Sequence, residues 1–245
     1  MFWAAFVFII VNSTAGATVT TSPMFGNTDR QLYSLDFDGI DDYVEIADND
    51  VLDLNLDDFT VEAWVFPRCE ISDLLHSFIR KMDMNRNGYA IVVDDLDLHL
   101  SSSFRKYGSF NEASVYINIP IEYSQWYHVS SVLDRDVGHK LYINGILVAD
   151  TLDTKLLDID INNPFPLLFG IHPGQGEMYA DGQMHEVKIW NRASTETEVQ
   201  NSFSDVIPYV TEKGRNKVLH GTLTAAGAGS VNDPLERYDI IVVIG

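Results

Sequence analysis

The sequence predicts an all-β protein, built as an antiparallel two-sheet sandwich with one short helix near the end of the domain. Short runs rich in valine, isoleucine and aromatic residues recur between turn-forming residues, as strands do. No helical segments alternate with these runs, which argues against a parallel α/β sheet. Two of the runs are joined by only Asn144 and Gly145, which is the sequence of a tight hairpin.

Ten runs have the composition and length of strands. They cover residues 43–46, 59–66, 74–81, 89–93, 114–119, 126–133, 140–143, 146–149, 166–171 and 183–190. The Asn144-Gly145 link takes positive φ at both positions and predicts a type I′ hairpin. In the second run, Val61 and Val65 share one face and Trp64 lies on the other, which predicts a strand covered at least partly on both sides.

One helix is predicted over residues 193–203. Thr195 is suited to the N-cap, and Glu198 follows at the spacing of a capping box. Beyond Pro208 the pattern weakens, and a strand-like run over residues 238–245 ends the sequence. That run is compatible with pairing to the sheet or with a truncated second module.

Residues 83–94 partly match the calcium loop of an EF-hand, with acidic or amide residues at alternate positions before Gly88. An EF-hand needs a helix on each side, whereas both flanks here have the composition of strands. Ile91 at the ninth position has no side-chain oxygen. We therefore predict a polar turn between two strands, with Asn87 and Gly88 in the turn.

Composition and the N-terminal segment bear on compartment and partners. The chain has 36 Asp+Glu against 16 Lys+Arg, a net charge of -20, which repels phosphate and excludes a nucleic-acid partner. Residues 1–17 combine a short apolar run with an A-x-A pattern and predict a cleaved signal peptide, followed by a linker over residues 18–31. No second long apolar stretch follows, so we predict secretion without stable membrane insertion. Cys69 is the only cysteine and has no disulfide partner within the chain.

Four blocks in order resemble a LamG-like jelly-roll domain of the concanavalin A-like lectin/glucanase class. They read LDFDGIDDYVEIADNDVLDLNLDDFTVEAWVFP, QWYHVSSVLD, KLYINGILVAD and DGQMHEVKIWNRASTETEV. The resemblance covers about residues 32–203 and implies two stacked, curved antiparallel sheets over residues 32–207. Residues 208–245 would then form a C-terminal extension. Modules of this kind occur in secreted or surface proteins that bind glycans or other proteins.

The same class includes glucanases, in which an E-x-D-x-x-E strand carries two carboxylates about 5 Å apart. The nearest string here begins at Glu70, places Ser72 where the middle aspartate belongs, and has no second glutamate. We therefore expect no enzyme. Two alternatives stay open: a glycoside hydrolase with an unrecognised carboxylate pair, and a structural spacer in a larger surface assembly.

The resemblance also implies a structural calcium ion where the Asp-Gly turn of the first strand meets the last core strand. Its candidate ligands are Asp38, the Gly39 carbonyl and Asp41, with Asp181 added from the last block. His185 stands where the family has an acid, and imidazole is a poor calcium ligand. The alternative is that Asp38 and Asp41 only shape the turn through hydrogen bonds to the backbone.

A tryptophan supplies the candidate ligand contact. Trp190 lies out of phase with Val187 and Ile189, so it is predicted to point away from their face and to be exposed. Trp64 is interpreted first as a core residue, and the same interpretation applies first to Trp126. The sequence thus predicts a secreted, non-catalytic binding module for an extracellular ligand, with glycan slightly favoured over protein.

Overall fold

The computed structural model describes residues 5–8, 18–22, 32–68, 75–83, 87–94, 99–106, 113–151, 160–174, 178–204 and 241–244. Within these ranges the chain forms strands, a 3-10 turn (Asp50–Leu52) and one α-helix, α1 (Glu196–Ser204). The strands are β1 (Ala5–Phe8), β2 (Thr18–Ser22), β3 (Leu32–Asp38), β4 (Val44–Ile46), β5 (Phe59–Pro67), β6 (Leu75–Met82), β7 (Gly88–Asp94), β8 (His99–Lys106), β9 (Ala113–Pro120), β10 (Tyr127–Asp134), β11 (Gly138–Ile143), β12 (Ile146–Thr151), β13 (Leu167–Phe169), β14 (Ile171–His172), β15 (Met178–Tyr179), β16 (Asp181–Trp190) and β17 (Ile241–Ile244).

The strands form two main sheets. The large sheet follows the order β1-β17-β16-β5-β10-β11-β12, with β3 also paired to β16 and β2 to β3. The second sheet follows the order β4-β13-β6-β7-β8-β9, and β14 pairs with β15 separately. Neighbouring strands are antiparallel except β16 and β17, which are parallel. The all-β, antiparallel jelly-roll sandwich with one short helix is therefore confirmed.

The core lies between the two sheets and is filled by alternate side chains of their facing strands. Large side chains of this core are Leu35, Phe37, Phe59, Val61, Val65, Phe78, Tyr89, Ile91, Val129, Leu141, Leu167, Phe169 and Ile189. Each is at least nine-tenths buried. Burial of this apolar surface supplies the main free energy that stabilises a domain for which the sequence offers no disulfide.

The centre of the large sheet is also covered on its outer face, by helix α1. On β5, Val61, Ala63 and Val65 face the core, whereas Trp64 points outward yet is only 4% exposed. Its ring centroid lies 5.6 Å from that of Phe203 on α1. The prediction of a strand covered on both sides is confirmed.

Helix α1 begins as its capping residues predict. The Thr195 backbone N–H donates to Glu198 Oε2 at 2.8 Å, and the Glu198 backbone N–H lies 3.3 Å from Thr195 Oγ1. The reciprocal pair satisfies two donors that a helix N-terminus leaves without intrahelical partners. Val199 is fully buried against Val132 and Tyr142, so the helix is fixed to the sheet by an apolar contact.

Both predicted turns connect strands. Asn144 and Gly145 have φ of 52° and 75° between β11 and β12, which confirms the hairpin. Strand β6 ends just before the EF-hand-like segment and β7 forms its second half, so two paired strands stand where an EF-hand needs helices, and Gly88 is the first residue of β7. There Asp83 Oδ1 accepts a hydrogen bond from the Asn87 backbone N–H at 2.7 Å.

Five described strands, β1, β2, β3, β8 and β15, were not among the ten expected runs. Strand β8 reads HLSSSFRK, and its three serines give it a weaker strand composition than its neighbours. Strand β3 precedes the Asp-Gly turn and supplies Leu35 and Phe37 to the core. The expected run at residues 166–171 is interrupted at Gly170, where φ is 78° and a Cβ would lie 2.5 Å from the Phe37 ring.

Strand β12 forms one edge of the large sheet and exposes apolar side chains. Ile146, Leu147 and Val148 are 68%, 39% and 36% exposed. Strand β12 pairs only with β11 among the described strands, so its other side carries backbone groups without a ladder partner in the described part of the chain.

The structure describes only part of the segments that the sequence predictions assign to the two ends of the chain. The predicted signal segment contributes β1, which pairs with β17 from the predicted C-terminal extension. The division into residues 1–17, 18–31, 32–207 and 208–245 stays a prediction. Cys69 and Glu70 lie outside the described residues. Within the described ranges, no helix has the length and apolar character needed to cross a bilayer.

Gly88 provides a test of the β6–β7 turn. Its φ is 131°, and a Cβ there would lie 1.9 Å from the Lys81 carbonyl oxygen, so the backbone has to shift. We expect Gly88→Ala to lower the free energy of unfolding by about 3 kcal/mol in urea titrations. Gly174→Ala is the matched control, because no atom beyond its two chain neighbours lies within 4 Å of the added methyl group. Equal stability of the two variants would contradict the close approach of Gly88 to the Lys81 carbonyl oxygen.

Candidate functional site

The outer face of the large sheet carries charged side chains beneath helix α1. Glu62 on β5, His128 on β10, and Glu186 and Lys188 on β16 form what we call the buried charge cluster. These residues are 3%, 1%, 7% and 5% exposed. Charged groups withdrawn from water to this extent need close partners.

Glu62 is the best-satisfied member of the cluster. Its Oε1 accepts hydrogen bonds from Trp190 Nε1 at 3.2 Å and from Ser202 Oγ at 2.9 Å. Lys188 Nζ lies 3.7 Å from the same oxygen and donates to Ser202 Oγ at 2.8 Å. Ser202 belongs to α1, so this network joins the helix to β5 and β16.

Glu186 makes weaker contacts. Its Oε2 lies 3.6 Å from Lys188 Nζ, and neither carboxylate oxygen has a hydrogen-bond partner. Burial raises the pKa of Glu186, Lys188 opposes that rise, and the nearby Glu62 carboxylate adds to it. One ammonium therefore serves two buried carboxylates.

His128 is neutral in this setting. Burial lowers its pKa to about 3, and the positive charge of Lys188 contributes in the same direction. The 3.7 Å contact between His128 Nε2 and Glu62 Oε2 is therefore not an ion pair at neutral pH. His128 Nδ1 has no hydrogen-bond partner.

A β-bulge places Glu186 in the cluster. The register of β16 against β5 shifts between His185, opposite Trp64, and Lys188, opposite Glu62. Glu186 has a φ of 49°, an uncommon value for a residue with a side chain. Strict alternation would give Glu186 the same face as the core residue Met184, so the sequence pattern did not point to it.

The buried charge cluster also bears on catalysis. Glu62 and Glu186 each lie within 3.7 Å of Lys188 Nζ, so they form a carboxylate pair that sequence reasoning missed. A glycosidase pair must reach a sugar and a water molecule. This pair is sealed by α1 and is not placed in an open cleft.

Trp190, the predicted ligand contact, is half-buried. Its Nε1 is engaged by Glu62, and the Arg192 guanidinium carbon lies 5.4 Å from its ring centroid. A cation over an aromatic ring occupies the surface on which a ligand would stack. A ligand role for Trp190 stays a prediction.

The Asp-Gly turn after β3 brings three acids together. One oxygen each from Asp38, Asp41 and Asp42 lies within 4.8 Å of the others. Asp38 Oδ1 also accepts hydrogen bonds from the backbone N–H groups of Ile40 at 2.8 Å and Asp41 at 3.4 Å. The carboxylate of Asp38 thus shapes the turn, as the alternative interpretation expected.

Asp42 is the member of this group that the sequence did not single out. It is 3% exposed, and its Oδ2 accepts a hydrogen bond from the Asp38 backbone N–H at 3.1 Å. Its Oδ1 is buried without a hydrogen-bond partner. Burial, followed by the charge of Asp38, raises the pKa of Asp42 to about 6. An unpaired buried oxygen among three carboxylates fits the hard-oxygen ligands of calcium.

Asp181 has a different partner from the one expected. Arg68 Nε donates to Asp181 Oδ1 at 3.0 Å, and Arg68 Nη2 donates to Asp36 and to the Phe37 carbonyl oxygen. Because Asp36 and Phe37 lie on β3 and Asp181 on β16, the guanidinium holds the two strands together. Gly39 donates its backbone N–H to the Ala180 carbonyl oxygen at 3.0 Å.

The calcium site stays a prediction, and the structure favours Asp38, Asp41 and Asp42 as its carboxylate ligands. His185, which replaces the expected family acid, lies elsewhere: its Nε2 is 3.7 Å from Glu186 Oε1, beside the buried charge cluster.

Comparison with known proteins identifies the same fold. A laminin G-type family model, described as the concanavalin A-like lectin/glucanases superfamily, matches residues 38–200. A search of curated proteins finds no match.

Among solved structures, the binding domain of botulinum neurotoxin DC in complex with rat synaptotagmin II is similar, with a TM-score of 0.56 and 16% identity. The alignment covers 77% of this chain and 45% of the toxin domain, so the chain spans less than half of that relative. A native heptameric SAP-like pentraxin from Limulus polyphemus matches with a TM-score of 0.51 and 16% identity, covering 71% and 82% of the two chains. A structure of botulinum neurotoxin type C, whose cell entry depends on interaction with two ganglioside molecules, matches with a TM-score of 0.54 and 16% identity, covering 77% and 45% of the two chains.

The buried charge cluster generates a pH prediction. The folded pKa of Glu186 is raised, so its contribution to stability is fully present below its unfolded pKa of 4.5 and is lost as pH rises through the folded value. We expect Glu186→Gln to unfold at higher urea concentration than the wild type at about pH 8, and the difference to shrink toward about pH 4.

Glu198→Gln is the control of opposite sign. Hydrogen bonds from Arg192 and Thr195 lower the pKa of Glu198 to about 2, so its carboxylate stabilises the fold above its unfolded pKa. This variant should be slightly less stable than the wild type at about pH 8. If the stability difference between Glu186→Gln and the wild type is the same at about pH 8 and at about pH 4, this would contradict the conclusion that Glu186 is a buried carboxylate with a raised pKa.

The acidic turn generates a calcium prediction. Calcium that binds only the folded chain raises the unfolding midpoint, by about 5 °C or more when calcium is in hundredfold excess over Kd. We expect this rise by differential scanning fluorimetry for the wild type and for Asp136→Asn, an exposed control outside the turn. Asp41→Asn should reduce the rise, because it removes one charged ligand. An identical wild-type midpoint in calcium and in chelator would mean that the acids only shape the turn.

Proposed function

The chain belongs to the concanavalin A-like lectin/glucanases superfamily, and from that premise we propose that it is a secreted, non-catalytic binding module. Its ligand is extracellular, with a glycan favoured over a protein. The proposal combines the fold with the apolar, signal-like segment at residues 1–17. Fold alone does not determine function, so the argument rests on what the surface of the large sheet can contact.

The observation that carries the proposal is that helix α1 covers the acidic pair on the outer face of the large sheet. Glu62 and Glu186 are buried under α1 and share Lys188, so the pair has no room for a sugar ring or an attacking water. The same sheet face continues beyond the helix with partly exposed aromatic side chains, including Phe66 and Trp126. Aromatic side chains beside a few polar groups are the usual lining of a small-ligand site.

The similar structures support both ligand classes. The toxin DC binding domain forms a complex with rat synaptotagmin II, and cell entry of neurotoxin type C depends on interaction with two ganglioside molecules. At 16% identity these proteins share the fold with this chain, and their partners are carried over only as classes. The excess of acid in this chain leaves nucleic acid out of consideration.

Two alternatives differ in class. A glycoside hydrolase would release reducing sugar from a bound glycan, which a binding module does not do. A structural spacer would bind no soluble ligand and would instead assemble with other chains, which size-exclusion chromatography with and without reductant detects.

We expect the purified, labelled chain to bind a related set of glycans on a glycan array and to release no reducing sugar from them. Binding is measured as array fluorescence, and hydrolysis by a reducing-end assay on the bound glycans. Sugar release would overturn the non-catalytic assignment. A folded, monodisperse chain that binds no glycan would shift the assignment to a protein ligand.

A further inference from the structure

Beyond helix α1, the outer face of the large sheet carries partly exposed side chains that no other described element covers completely. Strand register places Gln183 on β16 beside Phe66 on β5, and Asp36 on β3 beside Gln183. Trp126 immediately precedes β10, and its ring centroid lies 5.3 Å from that of Phe66. We call these four residues the aromatic row.

All four side chains point away from the core. Their neighbours Val65, Tyr127, Met184 and Leu35 belong to the core between the sheets, and side chains alternate along a strand. Phe66, Trp126 and Gln183 are partly exposed.

Helix α1 covers the adjacent row of the same face. Phe203 makes ring contacts with Trp64 and His128, at centroid distances of 5.6 Å and 6.1 Å, and the helix ends one residue later at Ser204. The aromatic row lies one step further along β5, past these contacts.

The polar end of the row is held in a fixed arrangement. Gln183 Nε2 donates to Asp36 Oδ2 at 3.1 Å, and Ser34 Oγ donates to Gln183 Oε1 at 3.3 Å. Arg68 donates to the other oxygen of Asp36. The amide and the carboxylate therefore need little reorganisation when a ligand arrives, which favours affinity.

A second amide–carboxylate pair adjoins Trp126 in the chain. Gln125 Nε2 donates to Glu122 Oε2 at 2.9 Å, and both residues are exposed. The aromatic pair is thus accompanied by planar amide and carboxylate groups from two different parts of the chain.

We propose that the aromatic row binds a neutral glycan, with a sugar ring stacked on Trp126 and sugar hydroxyl groups hydrogen-bonded to the amide of Gln183, which the buried Asp36 carboxylate holds in place. The C–H face of a pyranose is apolar and faintly positive, which suits the negative face of an indole ring. Vicinal hydroxyl groups both donate and accept, so they match an amide beside a carboxylate. This inference rests on the proposed function and names its site and ligand class.

Charge selects a neutral glycan over a sialylated or sulfated one. Asp36 lies in the row and Glu122 adjoins it, and the chain as a whole carries a net charge of -20. Arg68 is already engaged by Asp36 and Asp181, so it does not balance a ligand anion. An acidic sugar would approach a surface of its own sign.

The row suits a ligand better than the other described tryptophans do. Trp64 is 4% exposed beneath Phe203, and Trp190 is engaged by Glu62 and Arg192. Trp126 combines partial exposure with a neighbouring ring and nearby polar groups, the usual composition of a small-ligand site.

The test uses the full purified chain and an array that carries neutral lactose-terminated and N-acetyllactosamine-terminated glycans with their sialylated counterparts, together with β-1,4- and α-1,4-linked glucose oligomers. The wild type should bind a neutral glycan and bind its acidic counterpart more weakly. Trp126→Ala and Gln183→Ala should each weaken that binding by about tenfold in a titration. Trp126→Phe should retain part of the affinity, because a ring remains.

Gln200→Ala is the matched control for Gln183→Ala, because Gln200 is an exposed amide on α1 away from the row. It should bind as the wild type does. Thermal unfolding establishes that each variant is folded. If Trp126→Ala fails to fold, two other measurements decide the question. One is the affinity of Gln183→Ala. The other is the change in intrinsic fluorescence on titration with the bound glycan, which is expected in the wild type and lost in Trp126→Phe.

The outcomes separate the site from the function. If Gln183→Ala and Trp126→Phe both bind the neutral glycan as the wild type does, with an unchanged fluorescence response, the proposed site is wrong. The assignment of the chain as a glycan-binding module then still stands. A preference for sialylated glycans overturns the ligand class. No glycan binding at all overturns the inference together with the glycan part of the proposed function.

Discussion

Burial on both faces at the centre of the large sheet determines where charge can lie in this molecule. The inner face packs on the second sheet and the outer face on α1, so any charged residue between them must find its partners there. Glu62 does so through Trp190, Ser202 and Lys188. These contacts connect β5, β16 and α1, and they fix the helix together with the apolar contacts of Val199 and Phe203.

The position of the helix in turn divides the outer face into two zones with different chemistry. Under α1, the low exposure of His128 keeps its imidazole neutral, and Glu186 is left as a surplus carboxylate. Beyond α1, Phe66 and Trp126 retain solvent-exposed surface. The same strand, β5, therefore supplies a buried acid and an accessible aromatic four residues apart.

The sequence predicted the features that depend on neighbouring residues. The Asn144-Gly145 hairpin and the capping box at Thr195 are set by residues within a few positions of one another, and both are present as expected. The buried charge cluster could not be predicted, because the bulge at Glu186 changes which face the residues before and after it occupy. Trp126 could not be placed either, since its neighbour Phe66 lies on a strand far away in sequence.

The open edge at β12 has a consequence for the colloidal behaviour of the protein. Three exposed apolar side chains, Ile146, Leu147 and Val148, accompany backbone groups that have no ladder partner among the described strands, and on such a surface strands of separate molecules add to one another. A net charge of -20 at pH 7 opposes such contact through mutual repulsion. Near the sequence pI of about 4.4 that repulsion disappears, and high salt screens it. We therefore expect the negative charge to oppose association at this edge, and acidic or concentrated salt conditions to favour edge-to-edge aggregation.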